Sequence, residues 1–205
     1  MVILALPVET LFAVSQQFEG FQGASIFDYE AHILRHQKYG RRGDLEEDPT
    51  HKQPIPYVLI VNRVKGLVYA YQRASHKEEA HEERLHGKWS WGVGGHVEHV
   101  DAMQENPIRV CLEREVLAEE VVIKGDVLSL SILGYINESD EVGKVHFGLL
   151  YVLETDAEEV FPKDVEMKQG SMVALFHLET ICSSPDCDVE GWSKYALEPL
   201  RQYFQ

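Results

Sequence analysis

The sequence contains little cysteine, and this excludes a fold held together by disulfides. Only 3 of its 205 residues are cysteine, and an odd number leaves one thiol unpaired. Cys182 and Cys187 lack the second pair or spaced histidine that a zinc site requires. We therefore expect loop thiols in a reducing compartment.

Basic side chains are also scarce. The chain has 19 Lys and Arg against 34 Asp and Glu, a formal net charge of -15. This charge opposes contact with a polyanionic backbone, so a nucleic acid polymer is not an expected partner.

Long hydrophobic runs are missing as well. No apolar run approaches the roughly 20 residues needed to cross a bilayer. The opening MVILALPVETLF has neither a positive n-region nor a small-residue cleavage site. We expect a cytoplasmic protein without a membrane partner.

The residues that are present suffice for a core, since 44% are apolar. We predict one domain over residues 1–205, with an extension over 1–52 and a core over 53–205 that ends in a helix. Residues 28–56 are rich in charge and turn formers, so loops and one short helix are expected there.

Several segments have strand or helix patterns. The runs YVLIV and LVYAYQR predict a hairpin, and VLSLSILGYI, VHFGLLYVLE and MVALFHLE predict further strands. Apolar residues three and four apart predict a closing amphipathic helix: Trp192, Tyr195, Ala196, Leu200 and Tyr203. The fold class is therefore α/β or α+β, a sandwich around a mixed sheet.

The segment ENPIRVCLEREVLAEE predicts the best helix of the chain, with Asn106 as its N-cap and Pro107 at its first position. At about 100° per residue, Glu115 and Glu119 project from the same face as Cys111. Two carboxylates one turn apart can bind a hard divalent ion. The alternative is that the helix end emerges into water and both acids are solvated.

Together with the glycine turn before it, this helix resembles a known signature. Residues 94–123 resemble the box of the Nudix hydrolases: a glycine, five residues, an acid, seven residues, Arg-Glu, an apolar residue, any residue, Glu-Glu, any residue, glycine and an apolar residue. The matching residues are Gly94 and Gly95, Glu98 in the first loop, Asp101 as the acid, and Arg114 with Glu115 as the Arg-Glu pair.

The box departs from the pattern in three places. Twelve residues separate Asp101 from Arg114, and Val121 replaces the last glycine. Ala118 takes the place of an acid, so the register follows either Arg114-Glu115 or the Glu-Glu pair at 119 and 120. We favour the first register, although a one-residue helical bulge would reconcile the two.

The resemblance extends beyond the box. DPTHKQPIPYVLIV, ERLHGKWSWGVGGH, EVGKVHFGLLYV and EGWSKYALEPL resemble a bacterial Nudix subgroup of about this length, described as predicted phosphoesterases with an N-terminal extension. It implies an α/β/α sandwich with a mixed sheet. It also implies Mg²⁺ or Mn²⁺ and attack of water on a diphosphate.

The resemblance implies roles for individual residues. The implied metal ligands are Glu115 and Glu119, with Glu120 as a substitute and the Gly95 carbonyl as a further ligand. Arg114 would orient a glutamate through an ion pair, which makes Arg114, Glu115 and Glu119 the implied catalytic residues.

The sequence indicates the substrate-binding residues less specifically than the metal ligands. Arg73, Lys88 and His146 are the candidates for binding the substrate, and a hydrogen-bonded structural role is the alternative for His146. Further basic candidates are Arg84 and Lys144. The general base stays open among Glu98, Glu138, Glu141 and Glu166. A zinc site from His86, His96 and His99 is disfavoured, because a strand and turn do not supply a closed tetrahedral set.

The expected function is that of a metal-dependent pyrophosphohydrolase acting on a small-molecule nucleoside diphosphate derivative or related pyrophosphate, with a homodimer as the preferred assembly. One alternative is a Nudix-fold binding module that has lost catalysis, because of Ala118 and the irregular spacing. Another is an isopentenyl diphosphate isomerase, for which Cys111 on the helix is poorly placed.

Overall fold

The computed structural model describes residues 1–74, 85–140, 142–163 and 167–205. The strands are β1 (Val2–Pro7), β2 (Gly20–Gly23), β3 (Lys38–Arg41), β4 (His51–Asn62), β5 (Leu67–Arg73), β6 (Trp89–Ser90), β7 (Val121–Ile123), β8 (Val127–Asn137), β9 (His146–Thr155), β10 (Val160–Pro162) and β11 (Met167–Ala174). The helices are α1 (Val8–Leu11), α2 (Tyr29–His36), α3 (Arg42–Leu45), α4 (Pro107–Leu112), α5 (Leu175–Ser183) and α6 (Gly191–Phe204). A 3₁₀ turn (Asp101–Met103) precedes α4, and a π-helical segment (Glu113–Glu120) follows it.

The strands form one large sheet and a small one. The large sheet has the order β11-β5-β4-β9-β8-β2, and β7 pairs with β10 in the small sheet. The predicted combination of helices with a large sheet is confirmed. None of the helices within the described ranges is long and apolar enough to cross a membrane.

The chain divides into two compact units. The first comprises Met1–Tyr57, Gly94–Arg114 and Ile132–Leu150, and the second comprises Val58–Val93, Glu115–Ser131 and Tyr151–Gln205. The predicted boundary between residues 52 and 53 falls inside β4, so the extension and the core share this strand.

An aromatic cluster forms much of the core of the first unit. The ring centroid of Tyr29 on α2 lies 5.0 Å from that of Tyr135 on β8 and 5.1 Å from that of Phe147 on β9. All three side chains are fully buried. Phe12 packs edge-on against Tyr29. The segment FEGFQG contributes β2, which pairs antiparallel with β8. The N-terminal extension thus packs on strands of its own chain.

Lys52 is a buried cation at the start of β4. Its side chain is inside the unit, and Nζ donates to the carbonyls of Glu138 and Gly143 in the loop between β8 and β9. Burial lowers the pKa of Lys52 from 10.5 to about 8, against the opposing effect of Glu19, Asp140 and Glu138. The ammonium therefore holds this loop, but at an electrostatic cost.

The second unit is built on the hairpin of β4 and β5. Val61 pairs with Val68, and Asn62 closes the turn by accepting from the Lys65 N–H. The side chain of Asn62 also donates to the carbonyls of Asp156 and Ala157. The predicted hairpin is confirmed.

Two expectations from the sequence need correction. Residues 28–56 contain α2, β3 and α3 and the start of β4, rather than loops with one helix. The run MVALFHLE is not a single strand, because β11 ends at Ala174 and α5 begins at Leu175. Its apolar residues are divided between the end of β11 and the start of α5. Composition alone cannot distinguish a short buried strand from a helix. The closing helix is confirmed as α6.

The lowered pKa of Lys52 predicts a pH effect on stability. Between about pH 8 and 10.5 the unfolded chain binds more protons at this group than the folded protein, so the free energy of unfolding rises with pH. From pH 7 to pH 9.5 we expect wild type to gain about 1 kcal/mol relative to Lys52→Met, after allowing for screening by water. Urea unfolding of both proteins at both pH values measures this difference; an equal pH response would contradict it.

Candidate active site

The helix that follows Asn106 begins as predicted. The Asn106 side-chain oxygen accepts from the N–H groups of Ile108 and Arg109, each at 3.1 Å, and Pro107 lies in the first turn. The α-helix ends at Leu112, however, and the chain continues as a π-helix. The expectation of one continuous α-helix is therefore wrong.

The π-helical segment accommodates the irregular spacing of the box. A π-helix bonds residue i to i+5, so residues five apart lie one turn apart, and such segments arise where a helix takes in an extra residue. Glu115 and Glu120 are five apart, and Glu119 precedes Glu120 directly. The π-helical segment thus contains Glu115 of the Arg-Glu pair and both acids of the Glu-Glu pair, with Ala118 between them. A departure from α-helical geometry is present at this position, and which register supplies the metal ligands stays a prediction.

The end of the π-helical segment is held by a lysine. Lys163 Nζ donates to the carbonyls of Leu117 and Ala118, each at 3.1 Å, and its backbone N–H donates to the carbonyl of Glu120 at 2.8 Å. A cation at a helix C-terminus satisfies carbonyls without intrahelical partners. Pairing of β7 with β10 brings this lysine to the helix end.

Glu120 lies near the tyrosines of β5. Burial raises the pKa of Tyr71 to about 12, partly offset by Arg73, and the negative charges of Glu190 and Glu120 raise it further. Burial also raises the pKa of Tyr69, with Tyr71 and Glu120 adding to the effect. The Glu120 carboxylate is thus close enough to β5 for its charge to raise the pKa of both buried tyrosines.

In the first unit, the glycine loop, residues 94–98, approaches β4 closely. A Cβ atom on Gly94 would lie 1.8 Å from the carbonyl oxygen of Pro56. No other residue fits there without moving the strand. This close approach is the physical reason for the first glycine of the box.

An ion pair joins Arg114 to the 3₁₀ turn that follows the glycine loop. Arg114 donates from Nε to Asp101 Oδ1 at 3.1 Å and from Nη2 to Oδ2 at 3.0 Å, and the Asp101 side chain is 2% exposed. Asp101 also accepts from the Glu98 N–H at 2.8 Å, and Glu98 Oε1 lies 3.7 Å from Arg114. The expected partner of Arg114 is a glutamate; in the structure, Arg114 makes two hydrogen bonds to Asp101, and Glu98 lies further away at 3.7 Å.

His96, in the same loop, is held by its side chain and its main chain. Its Nε2 lies 2.8 Å from Oε1 of Gln53, and its carbonyl accepts from Arg114 Nη2 at 3.2 Å and Cys111 Sγ at 3.3 Å. Burial lowers the pKa of His96 well below 6.5, and the charges of Arg42 and His146 lower it further. The ring is therefore neutral at pH 7.

The predicted substrate residues have protein partners. Arg73 Nε lies 3.4 Å from Glu190, whose other oxygen accepts from Ser90 and Ser193. Lys88 lies 4.0 Å from Asp188. These two cations belong to the second unit, and their role towards substrate stays a prediction.

His146 belongs to the first unit. It is 7% exposed, its Nδ1 lies 2.7 Å from the carbonyl of Val142, and its ring contacts His96 edge-on. This is the setting of the hydrogen-bonded structural alternative. A contact with substrate stays a prediction.

The remaining candidates are spread over the molecule. Glu98 lies in the glycine loop, Glu138 belongs to the loop held by Lys52, and Lys144 closes that loop with its backbone N–H on Asp140. Arg84, Glu141 and Glu166 lie outside the described residues.

Within the described ranges, no three His, Cys, Asp or Glu side chains are already assembled for a metal ion. The Gly95 carbonyl accepts weakly from the Cys111 thiol, at 3.7 Å, and its role as a metal ligand stays a prediction.

Sequence reasoning missed Gln53 and Lys163. Gln53 could have been noticed, because it is an uncharged polar residue at the start of the apolar run of β4. Lys163 carries no such signal, since its contact with the π-helical segment depends on a strand pairing 40 residues away.

The buried ion pair predicts a clear effect on stability. Asp101→Ala leaves the Arg114 charge without its main partner, and we expect the free energy of unfolding to fall by about 3 kcal/mol. The control is Glu179→Gln, which breaks a 2.7 Å pair with Arg201 in which both side chains are 41% exposed. That loss should stay under about 1 kcal/mol. Equal losses of unfolding free energy in the two variants, measured by urea unfolding, would show that the Asp101 pair contributes no more to stability than an exposed ion pair.

Comparison with known proteins is consistent with this geometry. No protein-family model matches the chain. The chain is 31% identical to Protein YmaB of Bacillus subtilis over 205 residues, which cover 97% of this chain and 96% of that protein. The crystal structure of Tm1382, named as a Nudix hydrolase, is 28% identical, with a TM-score of 0.79 and coverage of 99% of this chain and 100% of the other.

A third likeness concerns the fold alone. The bifunctional NMN adenylyltransferase/ADP ribose pyrophosphatase of Francisella tularensis, in complex with AMP and a Mn ion, is 15% identical. It matches with a TM-score of 0.53 over 75% of this chain and 42% of its own. The predicted mixed-sheet fold class is confirmed by these structures. The chain belongs to the Nudix hydrolase superfamily.

Proposed function

We propose that this protein is a Mg²⁺- or Mn²⁺-dependent hydrolase that cleaves a diphosphate linkage in a nucleoside diphosphate derivative or a related pyrophosphate. The observation that carries the proposal is the π-helical segment, in which Glu115 and Glu120, five residues apart, lie about one turn apart in spite of Ala118. A chain that had lost the metal-binding acids would not need this costly geometry.

The donor set of this segment fits a hard divalent ion. Glu115, Glu119 and Glu120 offer carboxylate oxygens, the ligands that Mg²⁺ and Mn²⁺ prefer. Glu119 is exposed and the other two are partly buried, so all three retain access to water. These three acids would hold the ion, with the Gly95 carbonyl as the further predicted ligand. A bound ion supplies charge neutralisation at phosphate and activates water.

Charge explains why a metal is needed here. A diphosphate brings at least two negative charges into a chain whose net charge is already -15. The two cations predicted to bind substrate, Arg73 and Lys88, share their charge with Glu190 and Asp188. Divalent ions would therefore provide most of the attraction for the substrate.

Nucleoside diphosphate derivatives are the first substrates to test. The Francisella protein is named an ADP ribose pyrophosphatase and its structure contains AMP and a Mn ion. That activity belongs to that protein, and its likeness in fold supports the choice of a substrate panel. Homodimer formation and a cytoplasmic location stay predictions from the sequence.

The test is release of phosphate or mononucleotide from a panel of nucleoside diphosphate derivatives with Mg²⁺ or Mn²⁺. We expect metal-dependent turnover in wild type and a loss of about 100-fold in Glu119→Gln and in Glu120→Gln, because each removes a charged oxygen ligand. Glu113→Gln is the matched control: an exposed acid at the start of the same segment that is outside the ligand set. It should keep near wild-type activity.

Two results would overturn the proposal. Stabilisation of wild type by panel members without turnover would indicate the alternative, a binding module that has lost catalysis. Equal activity losses in Glu113→Gln and Glu119→Gln would show that general charge, rather than metal ligation, is being measured.

A further inference from the structure

Gln53 is an unusual residue for its position. It is fully buried at the start of β4, where all the following residues of the strand are also buried. Its backbone N–H donates to the carbonyl of Val145 at 2.7 Å, which any residue except proline would do. Its side-chain amide is therefore the part that needs a reason, because burying an amide is costly unless it is hydrogen-bonded.

The amide of Gln53 bonds only to the glycine loop within the described residues. Oε1 lies 2.8 Å from Nε2 of His96, and the amide nitrogen, also buried, has no partner there. A methionine or leucine of similar volume would avoid this unsatisfied donor. Packing alone therefore does not account for a glutamine at this position.

The contact determines the protonation of the His96 ring. A carboxamide oxygen only accepts, so the hydrogen must be on His96 Nε2, and Nδ1 then has a lone pair. The ring also contacts His146 edge-on, with 5.4 Å between ring centroids. His96 is thus fixed in both tautomer and orientation.

Fixing His96 fixes the main chain of the loop. The carbonyl of the same residue accepts from Arg114, and Glu98, two residues on, donates its N–H to Asp101. Gly94, two residues before, is pressed against Pro56. Gln53 supplies a side-chain hydrogen bond that holds the middle of the loop to β4.

We propose that Gln53 is a positioning residue that acts through His96 on the glycine loop, residues 94–98. Its importance for turnover rests on the proposed function, in which this loop carries the Gly95 carbonyl. Its effect on the structure of the loop is independent of the proposed function. Gln53 touches no reacting atom in this account.

The chain offers a matched control. Asn137 on β8 is also fully buried, its Nδ2 donates to the carbonyl of Phe18, and its Oδ1 has no partner among the described residues. It belongs to the same unit, and its described hydrogen bond goes to Phe18 rather than to the glycine loop. Gln53→Met and Asn137→Leu therefore each remove one buried amide with one hydrogen bond.

Amide hydrogen exchange tests the effect on the loop. In Gln53→Met, exchange of the backbone amides of residues 94–98 should accelerate at least tenfold, while Asn137→Leu leaves them unchanged. Gln53→Glu keeps a carbonyl-type acceptor and should retain the protection. Unchanged exchange in Gln53→Met, or equal acceleration in both amide deletions, would overturn the proposal.

Two further measurements complete the test. Imidazole ¹⁵N shifts of wild type should show His96 protonated on Nε2; protonation on Nδ1 would overturn the proposal even if no variant folds. With an active panel substrate, Gln53→Met should lower kcat about tenfold with KM little changed, and Asn137→Leu should change neither. Equal kcat losses in the two would also overturn it. If wild type shows no turnover, the proposed function fails, while the exchange and ¹⁵N results still decide the role of Gln53.

Discussion

The contact on which the candidate site most depends is the buried ion pair of Asp101 and Arg114. A carboxylate with 2% exposure requires a cation, and the guanidinium meets it with two parallel hydrogen bonds. The same guanidinium reaches the carbonyl of His96. One arginine at the start of the π-helical segment therefore fixes the loop that the family signature places before it.

The π-helical segment shows how the fold tolerates an irregular motif. In an α-helix Glu120, five residues after Glu115, would point away from it, whereas i→i+5 bonding places residues five apart about one turn apart. Lys163 satisfies carbonyls that this geometry leaves at the segment's end. The segment that contains Glu115, Glu119 and Glu120 thus ends in a turn bound by a lysine.

The N-terminal extension is a structural part of the first unit. It adds β2 to the sheet and Tyr29 to the aromatic core, and Glu30 on α2 pairs with Arg109 on α4 at 3.3 Å. The strand that begins at His51 then supplies Lys52 and Gln53, whose side chains hold two different loops. Neighbouring residues of a strand point to opposite sides, so one strand start can serve both.

Local pattern determined much of this protein. The Asn106 cap, the hairpin of β4 and β5, the closing helix α6 and the order of acids in the box were all readable, because each depends on residues near one another in the chain. Only the tertiary structure decided the π-helical course of residues 113–120, the burial of Asp101 and the partners of Arg73, His146 and Gln53. These depend on contacts between distant segments, and sequence spacing carries no information about which distant groups meet.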